Sequence, residues 1–169
     1  MINLAEAVKL KSILAKKVQE LVSELHRSAF VTVEKGQAPK TSNRAMKVIE
    51  AELAQVRHDV RTLDRLVYEA NILNTVDFKG EKLALVEAIE LATQLRAEVE
   101  LCKEFSTHEK ESVRTGYGET TMLYEIAMYE PDDYRERAIK LEKDAHKLSN
   151  LINAKNYSVE INFDDSRYF

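Results

Sequence analysis

The chain has 169 residues, of which 32% are charged and 7% aromatic, with only four glycines and two prolines. Its formal net charge of −4 gives no long-range attraction for nucleic acid or anionic membranes, so neither is expected as a partner. Cys102 is the single cysteine, which excludes an intrachain disulfide framework and favours a reducing cytoplasm. Because charges interrupt the apolar N-terminal stretch, we expect neither a signal peptide nor a membrane span.

A helix and an irregular linker are predicted at the start of the chain. Leucine and valine recur at intervals of four, three and four residues over about residues 4–27, which places them on one helix face. Residues 28–42 follow as an irregular linker that contains a glycine and a proline. Within the linker, residues 30–33 are a candidate short strand, and TSN at 41–43 offers caps for a second helix.

The second helix carries the most regular pattern in the chain, which we call the apolar seam. Its members step by three and four residues, and they are Met46, Ile49, Leu53, Val56, Val60, Leu63, Val67 and Ala70. A seam of this kind stabilises a helix only when a partner helix carries a matching stripe. The stripe of the first helix is shorter, so the seam predicts self-association as a dimer or a higher even oligomer.

Two more helices are predicted in the second half of the chain. The connection NILNTVDFKGEKL precedes them, and its Gly80 tolerates a positive φ. The third helix is predicted over about residues 81–105, with Cys102 buried on its apolar face. The fourth begins at Pro131, which suits a first helical position. The C-terminal tail, residues 158–169, alternates in hydrophobicity and predicts a further short strand.

An insert at residues 112–130 interrupts the helices. Apolar residues fall on both sides of an extended chain over 120–129, which predicts a strand covered on both faces. Its candidate partners are residues 30–33, residues 158–163 and the same segment of a second copy. The chain is therefore predicted as a single helical domain, residues 1–169: mainly all-α, with long antiparallel helices in a coiled-coil-like four-helix bundle and a short β insert.

No motif for catalysis, cofactor binding or metal binding stands out. Gly116 and Gly118 lack the strand-then-helix context of a dinucleotide loop and are interpreted as a flexible turn. Glu104 and His108 are spaced as a weak metal pair, and two solvated side chains are the favoured interpretation. The acids at 119–133 include residues that suit the first turn of a helix. We therefore predict no catalytic residue, no metal, no cofactor and no enzymatic activity.

A group of arginines gives the one candidate binding site. Arg57, Arg61 and Arg65 align along one flank of the second helix, where either an ion-paired solvated face or an anion-binding cleft is possible. Polar residues end the same helix, and arginine with tyrosine in the insert would supply a second wall. The candidate ligand-binding residues are Arg61, Arg65, Asn71, Asn74, Thr75, Arg114, Tyr117 and Tyr124.

Three stretches of the chain carry a family resemblance: INLAEAVKLKSILAKKVQEL at the start, LDRLVYEANILNTVDFKGEKLALVEAI in the middle and LEKDAHKLSNLINAKNYSVEI near the end. They resemble the septicolysin-like family of bacterial and phage helical proteins. The positions that look like family positions are Leu4, Ala5, Asn71, Asn74, Thr75, Gly80, Leu83 and Asn156. The resemblance implies an all-α fold with strand additions and oligomerisation, and it implies almost nothing about activity.

Two function classes follow from these patterns. The first is a non-enzymatic, homo-oligomeric binding protein that sequesters a small anionic, nucleotide-like ligand in a pocket between helices or subunits. The alternative is a coiled-coil adaptor or inhibitor that binds a partner protein along a helix face or strand edge. A hydrolase that uses the acidic cluster is a third and least supported interpretation, because the sequence shows no nucleophile or base arrangement.

Overall fold

The computed structural model of the chain describes residues 1–40, 44–114 and 122–168. The described residues form four helices, α1 (Leu4–Ser28), α2 (Met46–Leu73), α3 (Leu85–Ser106) and α4 (Pro131–Ser158). Six short strands accompany them: β1 (Ile2–Asn3), β2 (Thr75–Phe78), β3 (Glu81–Ala84), β4 (Glu111–Arg114), β5 (Leu123–Ile126) and β6 (Glu160–Ile161). The strands pair antiparallel as β1 with β6, β2 with β3 and β4 with β5. The prediction of a mainly α fold with small β additions is confirmed.

The chain divides into two compact units. The first unit comprises Met1–Asn74 and Lys155–Phe169, and the second comprises Thr75–Ala154. Each unit contains a long helix pair, short strands and its own set of buried apolar side chains. The single helical domain expected from the sequence stays a prediction.

In the first unit, α1 and α2 pack as an antiparallel pair. Lys11 Nζ lies 2.7 Å from Asp64 Oδ1 and Lys17 Nζ lies 3.1 Å from Glu52 Oε1. A later residue of α1 therefore contacts an earlier residue of α2, as in an antiparallel pair. The buried residues of α2 are Ile49, Leu53, Val56, Leu63 and Val67. Most of the apolar seam is thus covered within one chain. These buried members need no second copy to cover them, and self-association itself stays a prediction.

The two ends of the described chain meet in the first unit. Ile2 of β1 lies opposite Ile161 of β6, and the backbone N–H of Leu4 donates to the carbonyl of Val159 at 2.8 Å. Asn3 caps α1 through a reciprocal capping box with Glu6, in which both hydrogen bonds measure 2.9 Å. The predicted start of the first helix at residue 4 is confirmed, and so is a short strand in the C-terminal tail.

The second unit begins with a tight hairpin. Lys79 and Gly80 join β2 to β3 with φ values of 52° and 84°, and positive φ at both central residues is what a type I′ turn requires. The predicted positive φ of Gly80 is confirmed. The third helix begins at Leu85 rather than at residue 81, because residues 81–84 pair with β2 before the helix starts.

The helices α3 and α4 also run antiparallel. The ring centroids of Phe105 and Tyr134 lie 5.3 Å apart, and Arg96 Nη2 donates to Ser149 Oγ at 2.7 Å, so the end of α3 meets the start of α4. Cys102 is buried on α3, as predicted. The predicted start of the fourth helix at Pro131 is confirmed as well.

Three strand predictions are corrected by the structure. Residues 29–40 contain no strand and Phe30 is 87% exposed, because no other segment pairs with residues 30–33. In the insert, β5 is extended as predicted, but it pairs with β4 and not with residues 30–33 or 158–163. Both strands are exposed rather than covered on two faces. The capping sequence at 41–43 and residues 120–121 lie outside the described residues.

Candidate functional site

The arginines of the predicted site lie at the surface of α2 in the first unit. Arg61 and Arg65 are exposed, and Arg65 Nη1 lies 2.7 Å from Glu69 Oε1 one helical turn away. For Arg65 this is the ion-paired, solvated arrangement that was one of the two alternatives. An exposed pair of this type contributes little to stability, typically about 0.2–1 kcal/mol.

The polar residues at the end of α2 have structural roles in the described geometry. Asn74 Nδ2 donates to the carbonyl of Ala70 at 2.9 Å, and the Asn74 backbone N–H donates to the same carbonyl at 3.1 Å. Asn74 therefore caps the C-terminus of α2. Thr75 begins β2 opposite Ala84, and Asn71 is half-buried on the last turn of the helix.

The insert residues of the predicted site lie in the second unit, on β4 and β5, which we call the arm. Val113 is the cross-strand partner of Tyr124, while Arg114 is the partner of Leu123. Because directly paired residues share a face of the sheet, Arg114 and Tyr124 point to opposite faces. Arg114 Nη1 lies 3.4 Å from Glu125 Oε2. Tyr117 lies outside the described residues.

The arm has one face with large uncovered apolar side chains. Val113, Tyr124 and Ile126 share this face, which we call the apolar arm face, and they are 51%, 51% and 56% exposed. Glu111, paired with Ile126, lies at one end of it. The other face carries the Arg114–Glu125 pair, together with Ser112 and Leu123. A sheet of this type normally turns its apolar face to a core. The sequence predicted apolar side chains here but not their exposure.

Aromatic rings fix the base of the arm. The ring centroid of Tyr129 lies 5.2 Å from that of Phe105 and 5.0 Å from that of Tyr134, and Tyr129 Oη donates to the carbonyl of Phe105 at 3.1 Å. Lys110 Nζ donates to the carbonyl of Tyr129 at 2.9 Å. The backbone N–H of Ala127 donates to the carbonyl of Lys110, also at 2.9 Å. The arm is therefore joined to α3 and α4 at its base, while both of its faces remain exposed.

A further cavity lies elsewhere in the second unit. It measures about 510 Å³ and lies between the β2–β3 hairpin and α4. We call it the hairpin–helix cavity, and its lining residues are Asp77, Phe78, Lys79, Asp144, Lys147, Asn150 and Leu151. Asp144 is only 8% exposed and forms an ion pair with Lys79. No sequence pattern indicates this cavity, since it depends on a contact between Lys79 and Asp144, which are 65 residues apart.

The first unit holds two polar clusters along α2. Tyr168 Oη donates to Asp59 Oδ2 at 2.5 Å, and burial together with this hydrogen bond raises the pKa of Tyr168 to about 12. Arg44 contacts both Glu24 and Glu52, and its hydrogen bond to Glu52 lowers the pKa of that carboxyl group. Both clusters tie neighbouring segments to the helix pair.

Two absences can be stated for residues 1–40, 44–114 and 122–168. Within these ranges, no three histidine, cysteine, aspartate or glutamate side chains are grouped as metal ligands would be. Over the same ranges, every helix is too short or too polar to cross a bilayer.

Comparison with known proteins shows a similar fold. No protein-family model matches the chain, and no curated protein matches it at a significant level. The chain is similar to the crystal structure of a functionally unknown conserved protein from Corynebacterium diphtheriae, with 20% sequence identity and a TM-score of 0.64. The match covers 95% of this chain and 98% of the other. At this identity the similarity shows a shared fold and carries no statement about activity.

Proposed function

We propose that the protein is a non-enzymatic binding protein that associates with a second copy of itself through the apolar arm face. The observation that carries the proposal is the exposure of Val113, Tyr124 and Ile126 on one face of a two-stranded sheet. Contiguous exposed apolar side chains are typical of protein interaction sites, whereas single exposed ones are common on any surface. Tyrosine is also enriched in protein interfaces.

The arm has two further properties that favour a protein partner. A two-stranded ribbon is marginally stable in water by itself, so contact with another surface would stabilise it. Each of its strands also has one edge without a described backbone partner, and exposed edges are a common route of association. A small ligand would cover neither an extended sheet face nor a strand edge.

A second copy is the partner that this face fits. In a two-fold interface each copy presents the same patch, so the patch must be complementary to itself. Two apolar arm faces meet this condition, because each presents aliphatic and aromatic side chains around Tyr124, with its one carboxylate, Glu111, at an end of the face. The Arg114–Glu125 pair on the opposite face would remain in water. The homo-oligomer predicted from the sequence is thus retained, with the arm in place of the apolar seam.

The experiment compares two neighbouring substitutions on β5. Tyr124→Glu places a charge on the apolar arm face, while Leu123→Glu places the same charge on the opposite face of the arm. The two residues are similarly exposed, Leu123 to 47% and Tyr124 to 51%. We expect the unmodified protein and Leu123→Glu to sediment as oligomers at micromolar concentration and Tyr124→Glu to sediment as a monomer. Burying an unpaired charge in an interface is the physical reason.

Two results would overturn this proposal. A monomeric unmodified protein at micromolar concentration would remove self-association altogether. Equal dissociation by both substitutions would show that the interface does not distinguish the two faces of the arm. Circular dichroism of both variants checks that the helices remain folded, so that a change in mass reports on association.

The remaining expectations stay part of the proposal. These are the coiled-coil-like four-helix bundle, the membership of the septicolysin-like family and a cytoplasmic location, which suits the buried thiol of Cys102. The hypothesis of a small nucleotide-like anion held by arginine and tyrosine also stays a prediction. Thermal shift with nucleotides at millimolar concentration tests it, with Arg61→Ala and Arg114→Ala as variants that should weaken any stabilisation observed.

A further inference from the structure

We infer that the hairpin–helix cavity binds a small zwitterion with an apolar side chain, of the amino acid or dipeptide class. The cavity measures about 510 Å³, and pockets for small molecules typically span roughly 300–1,000 Å³. The inference does not depend on the arm, because no lining residue of this cavity belongs to β4 or β5.

A buried charge at the wall of the cavity is the first support. Asp144 is the one charged side chain that is buried among the described residues of the chain. Removing a carboxylate from water is costly, and it is tolerated only when a partner compensates the charge. Lys79 compensates it here, while the side chain of Lys79 stays 56% exposed. The wall therefore holds a fixed carboxylate–ammonium pair whose ammonium remains accessible.

The backbone of Lys79 gives independent support. Lys79 is the only described residue other than glycine with a positive φ, at 52°. Asparagine, aspartate and glycine are the residues that type I′ turns favour, because other side chains are strained in this conformation. A lysine at this position accepts that strain while its ammonium group contacts Asp144 and lies 5.5 Å from the ring centroid of Phe78. A glycine or asparagine in this turn would lack the contact with Asp144 that the lysine side chain makes.

The charges that remain available define the ligand. Asp144 and Lys79 satisfy each other, which leaves Asp77 and Lys147, and neither of these has an ion-pair partner within the described residues. The cavity thus presents one free carboxylate and one free ammonium group. A zwitterion complements both charges, whereas a dianion such as a phosphate monoester would meet two carboxylates as well as two ammonium groups.

The uncharged lining residues fit the rest of such a ligand. Asn150 offers an amide donor and acceptor, and Leu151 offers apolar surface. On α4, Asp144, Lys147 and Leu151 follow at intervals of three and four residues, which places them on one helix face. The ligand's carboxylate would contact Lys147 and its ammonium group Asp77, with the apolar side chain against Leu151.

Nuclear magnetic resonance titration of the full chain tests the inference with four probes. Leucine and leucyl-leucine carry both charges, N-acetyl-leucine lacks the ammonium group, and leucinamide lacks the carboxylate. We expect the two zwitterions to shift the amide resonances of α4 and of the β2–β3 hairpin at millimolar concentration. Each singly charged probe should bind about fivefold more weakly, which corresponds to the roughly 1 kcal/mol of one exposed ion pair.

A matched pair of variants completes the test. Lys147→Gln should weaken leucine binding by about fivefold, whereas Lys143→Gln, an exposed lysine on the same helix that does not line the cavity, should leave it unchanged. The inference is overturned if neither zwitterion produces shifts, if the two variants behave alike, or if N-acetyl-leucine binds as tightly as leucine. The last result would mean an anion site.

Discussion

Truncation of Leu63 tests whether the apolar seam is buried within the chain. Leu63 is 0% exposed on α2. Leu63→Ala removes three carbon groups, each contributing about 0.8 kcal/mol when buried, so the transfer loss alone is roughly 2.4 kcal/mol. The cavity that remains adds to this loss, and measured leucine-to-alanine changes in protein cores span about 2–5 kcal/mol. We therefore expect the free energy of unfolding to fall by about 2–5 kcal/mol.

Urea denaturation followed by far-ultraviolet circular dichroism measures this change. Leu73→Ala is the matched control, because Leu73 ends the same helix and is 79% exposed. Its substitution should change the free energy of unfolding by less than about 0.5 kcal/mol. A loss of under roughly 0.5 kcal/mol for Leu63→Ala, or equal losses for both variants, would refute the burial of the seam against α1.

Three further predictions concern local contacts. The pKa of Tyr168 is raised to about 12 from 10.0 for a free tyrosine. The stability that protonated Tyr168 contributes is therefore complete below pH 10 and is lost as the pH rises through 12. Tyr168→Phe should flatten the dependence of the free energy of unfolding on pH in urea titrations at alkaline pH. Gly80→Ala should lower stability by about 1–2 kcal/mol through its positive φ alone, since no atom lies within 4 Å of the added Cβ, and thermal unfolding checks this value. Asn3→Ala should cost about 0.5–2 kcal/mol by opening the capping box, while Asn3→Ser should keep the stability near that of the unmodified protein in the same assay.

The helices were predictable because their signals are local. The start of α1 at Leu4 and the start of α4 at Pro131 follow from apolar periodicity and from the residue preferences of a first turn. The apolar seam likewise located α2 and its buried face. Each of these features is determined by residues within one or two turns of each other, so a single sequence contains the necessary information.

The short strands were harder to predict because a strand depends on a partner that is distant in sequence. β1 has two residues and exists through its pairing with β6 at the other end of the chain. Residues 111–114 contain two charged residues and one serine, so β4 has little strand propensity, and its pairing with β5 decides its conformation. The hairpin at Lys79 and Gly80 had a signal in Gly80, but lysine is not a favoured residue of that turn.

The candidate site shows the same limit. Spacing along α2 placed Arg61 and Arg65 on one flank, and the structure shows that both are exposed. Spacing does not distinguish a flank that faces a cleft from one that faces water, because both have the same period. The strand register of the arm places Arg114 and Tyr124 on opposite faces of the sheet. The sequence of one strand does not predict its register with a partner strand.

Two features of the second unit oppose the pattern that folding alone favours. Folding places apolar side chains inside and charges outside, yet Asp144 is buried while Val113, Tyr124 and Ile126 are exposed together. Each departure lowers the stability of the isolated chain, and departures of this kind are expected at functional sites. A second copy that covers the apolar arm face would offset the cost of exposing Val113, Tyr124 and Ile126. The cost of burying Asp144 is already offset by Lys79, so a ligand in the hairpin–helix cavity would lie beside a charged pair whose geometry the fold has fixed.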